Sequence, residues 1–154
     1  MSNFTPSKLN KFLLFKLPSA YFTGVRVQSI TNTEAISTVK FRWINQNPFK
    51  SLYFAVQCMA SELSTGILML KTIAESKQRI SMLVTYQTGT FTKKAVGRIR
   101  FICKDGERIK QTIDKAIATG EGQTVIAISE GFDEQGDSVA KFEYTWSVKV
   151  KSKK

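Results

Sequence analysis

The sequence predicts one α+β domain, in which a curved antiparallel sheet of about six strands wraps around one long apolar helix. Hydrophobic residues make up 42% of the 154 residues, which is enough to bury a single core. Several segments alternate apolar and polar residues, as half-buried strands do. One segment between them, which begins near Asn47, is apolar in almost every direction around a helix. Such a helix is normally buried, and a strongly curved sheet can cover most of its sides.

The first 17 residues are predicted to hold a short amphipathic helix. Thr5 suits the N-cap and Pro6 the first helical position, so the helix is expected at 6–16. Leu17 and Pro18 end it, because a residue that precedes proline disfavours helical backbone.

Strands are predicted on both sides of the long helix. Four of them follow from the alternation of apolar and polar residues: about 24–31, 35–44, 79–91 and 95–103. A second amphipathic helix is expected from Asp105 to the residue before Gly120, because isoleucines recur there every four residues. Two further long strands flank a turn at Gln135-Gly136.

The long helix is predicted to start at Asn47, which suits an N-cap, with Pro48 in the first helical position. Gly66 can cap its end, although the apolar residues that follow allow the helix to continue to about Ala74. The segment up to Gly66 contains one carboxylate, Glu62. A single acid on such a helix needs an explanation.

Histidine is absent, which excludes Ser-His-Asp and Cys-His nucleophiles and histidine metal sites. Cys58 and Cys103 lie far apart and form no CxxC pair, so reduced thiols and a cytoplasmic location are expected. The sequence predicts neither a metal nor a cofactor. Any catalysis must use carboxylates, hydroxyls or backbone amides.

The formal net charge is +11, but the positive charge is spread along the chain. Residues 1–50 hold seven Lys and Arg against one acid, whereas residues 104–154 hold nine of each sign. The only tight basic cluster leads into a predicted tail at 151–154. A diffuse charge favours a phosphate-bearing small molecule such as coenzyme A, or an anionic membrane surface, over specific nucleic-acid binding. No apolar run is long enough for a transmembrane segment or signal peptide.

The segment NQNPFKSLYFAVQCMASELSTG, with strands before and after it, resembles the strand-to-helix junction of the hotdog fold. It is similar to an uncharacterised family related to phenylacetate-type hotdog thioesterases, and the resemblance spans about Pro18 to Val150. It implies a homodimer or homotetramer with sheets joined edge to edge. Acyl-CoA, or another acyl thioester, is then expected to bind at the subunit boundary.

The resemblance also implies site residues. Glu62 takes the place of the carboxylate that acts across the boundary as nucleophile or general base. The backbone N–H groups of Phe49, Lys50 and Ser51 take the place of the oxyanion donors at the helix start. These three residues stand where such enzymes usually carry His-Gly-Gly. Glu62 also lies about one turn beyond the usual position of the acid.

Other polar residues are weaker candidates. Asn45 and Asn47 could orient a water or a carbonyl, although Asn47 also suits a simple N-cap. Gln57 is a candidate second polar group in the pocket. Thr88 belongs to a row of threonines that could line an acyl tunnel or face solvent. Glu62 itself could instead meet solvent or a lysine where the helix leaves the core.

Three functions therefore stay open. Acyl-CoA hydrolysis with Glu62 is the first, and a non-catalytic acyl-CoA or lipid-binding hotdog protein is the second. A basic nucleic-acid-binding protein is the least favoured, because the sequence has no aromatic-basic recognition motif.

Overall fold

A computed structural model describes residues 4–152 of the chain. It contains six strands, namely β1 (Arg26–Ile30), β2 (Ala35–Lys40), β3 (Ile80–Phe91), β4 (Arg98–Cys103), β5 (Gln123–Phe132) and β6 (Ser138–Val150). They form one antiparallel sheet in the order β1-β2-β4-β5-β6-β3, so β1 and β3 are its edges. The helices are α1 (Pro6–Lys16), α2 (Pro18–Phe22), α3 (Phe54–Ser76) and α4 (Gly106–Thr119). The predicted six-stranded antiparallel sheet and long helix are confirmed.

Helix α3 is 23 residues long, and it contacts all six strands. Its buried apolar side chains pack against the sheet, and the largest fully buried ones include Leu68 and Met69 of α3 and Phe101 and Phe142 of the sheet. This burial explains why the helix is apolar in most directions. Among residues 4–152, no helix is both long and apolar enough to cross a membrane.

A polar seam joins α3 to the sheet inside this core. Ser61 Oγ lies 2.6 Å from the hydroxyl of Tyr144. Ser64 Oγ lies 2.7 Å from Ser129 Oγ, and the indole N–H of Trp146 donates to a threonine hydroxyl of α3 at 3.0 Å. Each buried hydroxyl thus finds a partner, which removes the cost of its burial and fixes how the helix is rotated against the sheet.

The predicted start of the long helix is wrong. Helix α3 begins at Phe54 with Tyr53 as N-cap, and residues 47–52 form a tight turn instead. The side-chain oxygen of Asn47 accepts from the backbone N–H groups of Phe49 at 2.9 Å and Ser51 at 3.2 Å. Asparagine followed by proline favours such turns as strongly as helix starts. Asn47 and Pro48 therefore form a turn here and not the predicted helix start.

The far end of α3 also differs from the first expectation, because the helix passes Gly66 and ends at Ser76, close to the longer alternative. Lys77 follows with φ of 56°, a left-handed cap. Strand β2 ends at Lys40, earlier than predicted, and a 3₁₀ turn at Trp43–Asn45 follows it. Trp43 was expected inside the sheet but is 83% exposed.

Helix α1 matches the predicted span 6–16, and Thr5 caps it through a bond from the backbone N–H of Lys8. Helix α2 was not predicted. Residues 1–3 of the N-terminal segment and 153–154 of the predicted basic tail lie outside the described residues. The backbone N–H of Lys151 still donates to the carbonyl of Arg79 at 2.8 Å.

Candidate functional site

The N-terminus of α3 opens into a surface cleft of about 490 Å³. At this end the N–H groups of Phe54 and Ala55 have no hydrogen-bond partner within residues 4–152, whereas those of Val56 and Gln57 donate to the carbonyl of Tyr53. Free N–H groups and the positive end of the helix dipole favour an anion or a polarised carbonyl oxygen. The cleft is lined by Asn47, Pro48, Phe49, Ser51, Leu52, Tyr53, Phe54, Gln57, Phe91, Thr92, Lys93, Lys94 and Ala95.

Gln57 places an unsatisfied acceptor at this cleft. Its side chain is 95% buried, and its amide nitrogen donates to the carbonyl of Leu52 at 3.4 Å. Its oxygen Oε1 has no hydrogen-bond partner among the described residues. Leaving a buried amide oxygen unpaired is costly, so a water or a ligand N–H or O–H group would be stabilised there.

Aromatic rings form one wall of the cleft. The rings of Tyr53 and Phe54 meet edge to face at 5.1 Å between centroids, and Phe54 meets Phe91 in the same way at 6.4 Å. Phe91 in turn packs against the buried Phe142 at 5.4 Å. This wall is apolar and anchored to the core, which suits an acyl group or another hydrophobic segment of a ligand.

Lysines stand at the rim of the cleft, but they are not equivalent. Lys93 binds Asp133 at 2.6 Å and Asp137 at 2.8 Å. These hydrogen bonds, that to Asp133 first, raise the pKa of Lys93, and Lys93 in turn lowers the pKa of Asp133. Among residues 4–152, Lys94 donates only to the carbonyl of Phe49, at 3.4 Å, so its charge is available to an anionic ligand.

Glu62 lies two turns further along α3, on a stripe that the sheet does not fully cover. Its carboxylate makes no hydrogen bond or ion pair that the structure shows between residues 4 and 152. A side-chain carbon on Gly66 would come within 3.2 Å of Glu62 Oε1 and 3.5 Å of the Trp146 ring, so the carboxylate lies beside that glycine. Burial raises the pKa of Glu62, and a raised carboxyl pKa is the direction that favours a general base.

A single chain does not bring Glu62 to the cleft. Glu62 follows Phe54 by eight residues, which is about 12 Å along a helix axis. Hydrogen-bond reach is about 3 Å. The two halves of the candidate site are therefore separate within one chain.

The structure corrects the prediction of the oxyanion donors. The N–H groups of Phe49 and Ser51 donate to the side chain of Asn47, and that of Lys50 donates to its carbonyl at 3.1 Å. None of them lies in α3, and none is free. Phe49 and Ser51 line the cleft, but Lys50 does not. The free donors belong to Phe54 and Ala55, which the misplaced helix start concealed.

Of the remaining candidates, Asn47 lines the cleft, whereas Asn45 and Thr88 do not. Asn45 is buried and donates both amide hydrogens, to the carbonyls of Thr23 and Lys40 at 2.9 Å each, so it fastens the 3₁₀ turn. Asn47 lines the cleft, but its amide group is occupied by the turn. Thr88 is exposed on β3 opposite Glu143 and does not line the cleft.

The family model for a "Domain of unknown function (DUF4442)" matches residues 7–148. The chain belongs to the DUF4442 family. No curated protein matches it.

Solved structures of similar shape place the DUF4442 chain among hotdog proteins. One is a Pseudomonas aeruginosa protein of unknown function described as a probable thioesterase, with 23% identity, TM-score 0.80 and coverage of 96% of this chain and 97% of that one. A Chlorobaculum tepidum protein of unknown function has 18% identity, TM-score 0.80 and coverage of 98% and 100%. A Haemophilus influenzae thioesterase has 14% identity, TM-score 0.70 and coverage of 96% and 92%. The predicted hotdog fold is confirmed.

Proposed function

We propose that this DUF4442 protein hydrolyses acyl thioesters, with acyl-CoA as the leading substrate. The observation that carries the proposal is the cleft at the start of α3. Phe54, whose N–H group is free within residues 4–152, lines this cleft together with Gln57, whose oxygen has no partner there, and with the apolar wall. The free N–H group of Ala55 follows that of Phe54 in the first turn of α3. A thioester has the matching parts, namely a carbonyl oxygen, an apolar acyl group and, in coenzyme A, amide N–H groups near the sulfur.

The site is completed by a second copy of the chain. Strand β3 is a 12-residue edge strand that pairs only with β6 within the described part of the chain. Glu62 and Trp146 of β6 both lie beside Gly66, so Glu62 is close to the strand that neighbours this edge. Antiparallel pairing of two β3 edges around a twofold axis would bring each Glu62 toward the cleft of its partner. A homodimer, or a tetramer built from it, is therefore the active unit in this proposal.

The chemistry then follows from the residues. The thioester carbonyl oxygen accepts from the N–H groups of Phe54 and Ala55, which stabilise the negative charge that develops there. The ionised Glu62 of the second copy takes a proton from water as the water oxygen bonds to the carbonyl carbon. The tetrahedral intermediate collapses, the C–S bond breaks, and the thiolate takes the proton from Glu62. Direct attack by the carboxylate, followed by hydrolysis of the mixed anhydride, uses the same ionised group.

A non-catalytic acyl-CoA or lipid-binding role is the second candidate. It is favoured by the bulk of Phe54, whose half-exposed ring stands at the helix start where close approach of a carbonyl is needed. Either role fits a cytoplasmic protein, since Cys58 and Cys103 are both free thiols in the structure.

Thiol release from short, long and aromatic acyl-CoAs separates the two functions. Glu62→Gln is expected to lower kcat by at least about 100-fold, the usual contribution of a general base, and to leave the fold intact. Glu121→Gln, at an exposed position outside α3, is the matched control and should change nothing.

Two outcomes would contradict the proposal. Release that Glu62→Gln does not affect removes Glu62 from the mechanism. If the native protein releases no thiol from any of these substrates, yet CoA derivatives raise its melting temperature, the binding role replaces the hydrolase.

A further inference from the structure

Six large apolar side chains are exposed to solvent on α1, on α2, at the residue between them and on the 3₁₀ turn after β2. Four of them are more than half exposed, led by Trp43 at 83% and Phe15 at 77%. We call this group the N-terminal apolar surface: Phe12, Phe15, Leu17, Phe22, Trp43 and Ile44. Single exposed apolar residues are ordinary, but a group of this size on neighbouring elements indicates a contact surface.

Hydrogen bonds hold these elements together. The side chain of Asn45, in the 3₁₀ turn, donates to the carbonyl of Thr23, directly after Phe22. Leu17 is both the C-cap of α1 and the N-cap of α2. The apolar side chains therefore sit on a fixed support rather than on independent segments.

The surface lies apart from the proposed active site and its dimer edge. Helices α1 and α2 precede β1, and α1 packs on that strand, which is the opposite edge of the sheet from β3. Five strand spacings separate the two edges, about 24 Å along a flat sheet. None of the six side chains lines the cleft at the start of α3. A dimer formed through β3 would leave this surface open.

The charge around the surface has one dominant sign. Lys11, Lys16, Lys40 and Arg42 are exposed on or next to the same elements. Between residues 4 and 61 the only acid is Glu34, which lies in the β1–β2 turn, at the far end of that hairpin.

Three acids of the β5–β6 turn lie near the end of β2, and two of them are paired with a lysine, whereas Glu134 makes no ion pair within residues 4–152. Glu134 lies against Gly97, whose carbonyl accepts from the backbone N–H of Phe41. Asp133 and Asp137 are paired with Lys93. The positive field over the N-terminal apolar surface is therefore only weakly offset.

We propose that the N-terminal apolar surface docks on an anionic lipid bilayer. Exposed aromatic and aliphatic side chains insert at the level of the headgroups, and lysines beside them attract anionic lipids. The most exposed members project outward rather than lining a groove, which suits a fluid surface better than a shaped protein partner. The two signals together provide reversible peripheral binding, since either alone binds weakly.

Tryptophan fluorescence gives a direct test, because the chain has two tryptophans in opposite environments. Trp43 is 83% exposed, whereas Trp146 is 4% exposed and bonded within the core. Vesicles of phosphatidylcholine with phosphatidylglycerol should shift the emission of the native protein to shorter wavelength. Phosphatidylcholine vesicles alone should not, and added salt should weaken the effect. Trp43→Phe should abolish the shift and retain the signal of Trp146.

A second pair of variants tests the surface without changing the fluorophores. Phe22→Ser with Ile44→Ser should weaken cosedimentation with the anionic vesicles at least about tenfold, because two inserting side chains are lost. Ile126→Ser, at an exposed apolar position on β5, should bind as the native protein does. Circular dichroism melting curves check that each variant folds.

Three results would overturn the proposal. The first is no spectral shift or cosedimentation with anionic vesicles. The second is a Trp43 shift that depends on protein concentration without vesicles, which assigns the surface to a second copy of the chain. The third is binding that Phe22→Ser with Ile44→Ser leaves unchanged, which assigns the contact to another part of the molecule.

Discussion

The burial of Glu62 lowers the stability of the folded chain, so its presence is best explained by a function. Its carboxylate is largely removed from water, and the structure shows no hydrogen bond or ion pair for it with any residue from 4 to 152. Burial without a partner disfavours the charged form and raises the pKa of Glu62. Groups held in this way concentrate at functional sites, where the perturbed pKa serves the chemistry.

Glu62→Gln should therefore stabilise the protein at neutral pH. Because the pKa of Glu62 is raised on folding, the native state holds its proton more tightly than the unfolded state does. Stability is then lost as pH rises from the ordinary carboxyl pKa through the raised value. The variant should gain unfolding free energy over the native protein above this window and lose the advantage below it. Urea unfolding across this pH range measures the difference, and a less stable variant at neutral pH would show that Glu62 has an ionic partner.

Phe54→Pro tests the free N–H groups at the start of α3. Proline removes one donor but suits the first helical position, and Tyr53 already has φ of −61° and ψ of 134°, which a following proline accepts. Loss of one oxyanion donor should lower kcat by about 100-fold or more. Phe54→Ala removes the same ring and keeps the donor, so it should retain most of the activity in the thiol-release assay. Equal losses in both variants would assign the effect to the ring instead.

At single residues, the sequence drew attention to side chains that conflict with their surroundings. Glu62 and Gln57 stood out as polar groups on an apolar helix, and within residues 4–152 the structure shows no partner for the Glu62 carboxylate or for the side-chain oxygen of Gln57. The donors were missed because the signals at Asn47 and Pro48 are the same for a helix start and a tight turn. The turn is fixed by the bridge between Gln46 and Leu52 and by the bond from the backbone N–H of Leu52 to the distant carbonyl of Ala95 at 2.8 Å, and a contact of the second kind is not encoded in local propensity.

Among the elements, β3 is the longer of the two edge strands of the sheet. It is 12 residues long, pairs with β6 along one side and leaves its other side unpaired, and no helix covers it closely. Leu83 is 65% exposed and Tyr86 is 64% exposed on this strand. A long edge strand with apolar side chains is an aggregation hazard unless another strand pairs with it. The edge pairing in the proposed dimer would remove that hazard.

Leu83→Lys with Tyr86→Lys should convert the proposed dimer to a monomer. Two positive charges on each edge would repel those of the second copy. Lysine on an edge strand also commonly prevents it from pairing with another strand. Sedimentation equilibrium measures the mass, and thiol release should fall with it because the site needs both chains. Ile126→Lys adds a charge at an exposed apolar position of an interior strand, and it should leave the mass unchanged. A native protein that sediments as a monomer would contradict both the proposed dimer and the active site that it shares between two chains.

The elements themselves were predicted well where period and length agreed. All six strands and the helices α1 and α4 follow from apolar periodicity, and α3 follows from a long segment that is apolar in almost every direction. Helix α2 has only five residues, too few to show a period. The early end of β2 was missed for another reason. The alternation through Trp43 continues beyond the sheet, because the side chain of Asn45 bends the backbone by bonding to Arg42, Thr23 and Lys40.

At the scale of the whole molecule, the sheet together with α2 and α4 covers α3 except along one stripe. Along the uncovered stripe, Cys58, Met59, Glu62 and Ile73 are only half-buried, and Leu70 is exposed. In a sequence viewed alone, these residues continue the apolar pattern of the core, so the stripe could not be distinguished from the buried faces. A second copy that packs on this side would bury the stripe and bring Glu62 of each chain to the cleft of the other.

Mixing two inactive variants would test this shared site directly. Glu62→Gln keeps the N–H donors and lacks the base, whereas Phe54→Pro keeps the base and lacks a donor. A mixed dimer has one site with both intact parts and one with neither. Random reassortment by co-refolding makes half of the dimers mixed, so about a quarter of native activity should return. If Glu62 served the cleft of its own chain, no mixed dimer would contain an intact site and the mixture would stay inactive. Restored thiol release therefore requires that the catalytic carboxylate and the oxyanion donors come from different chains.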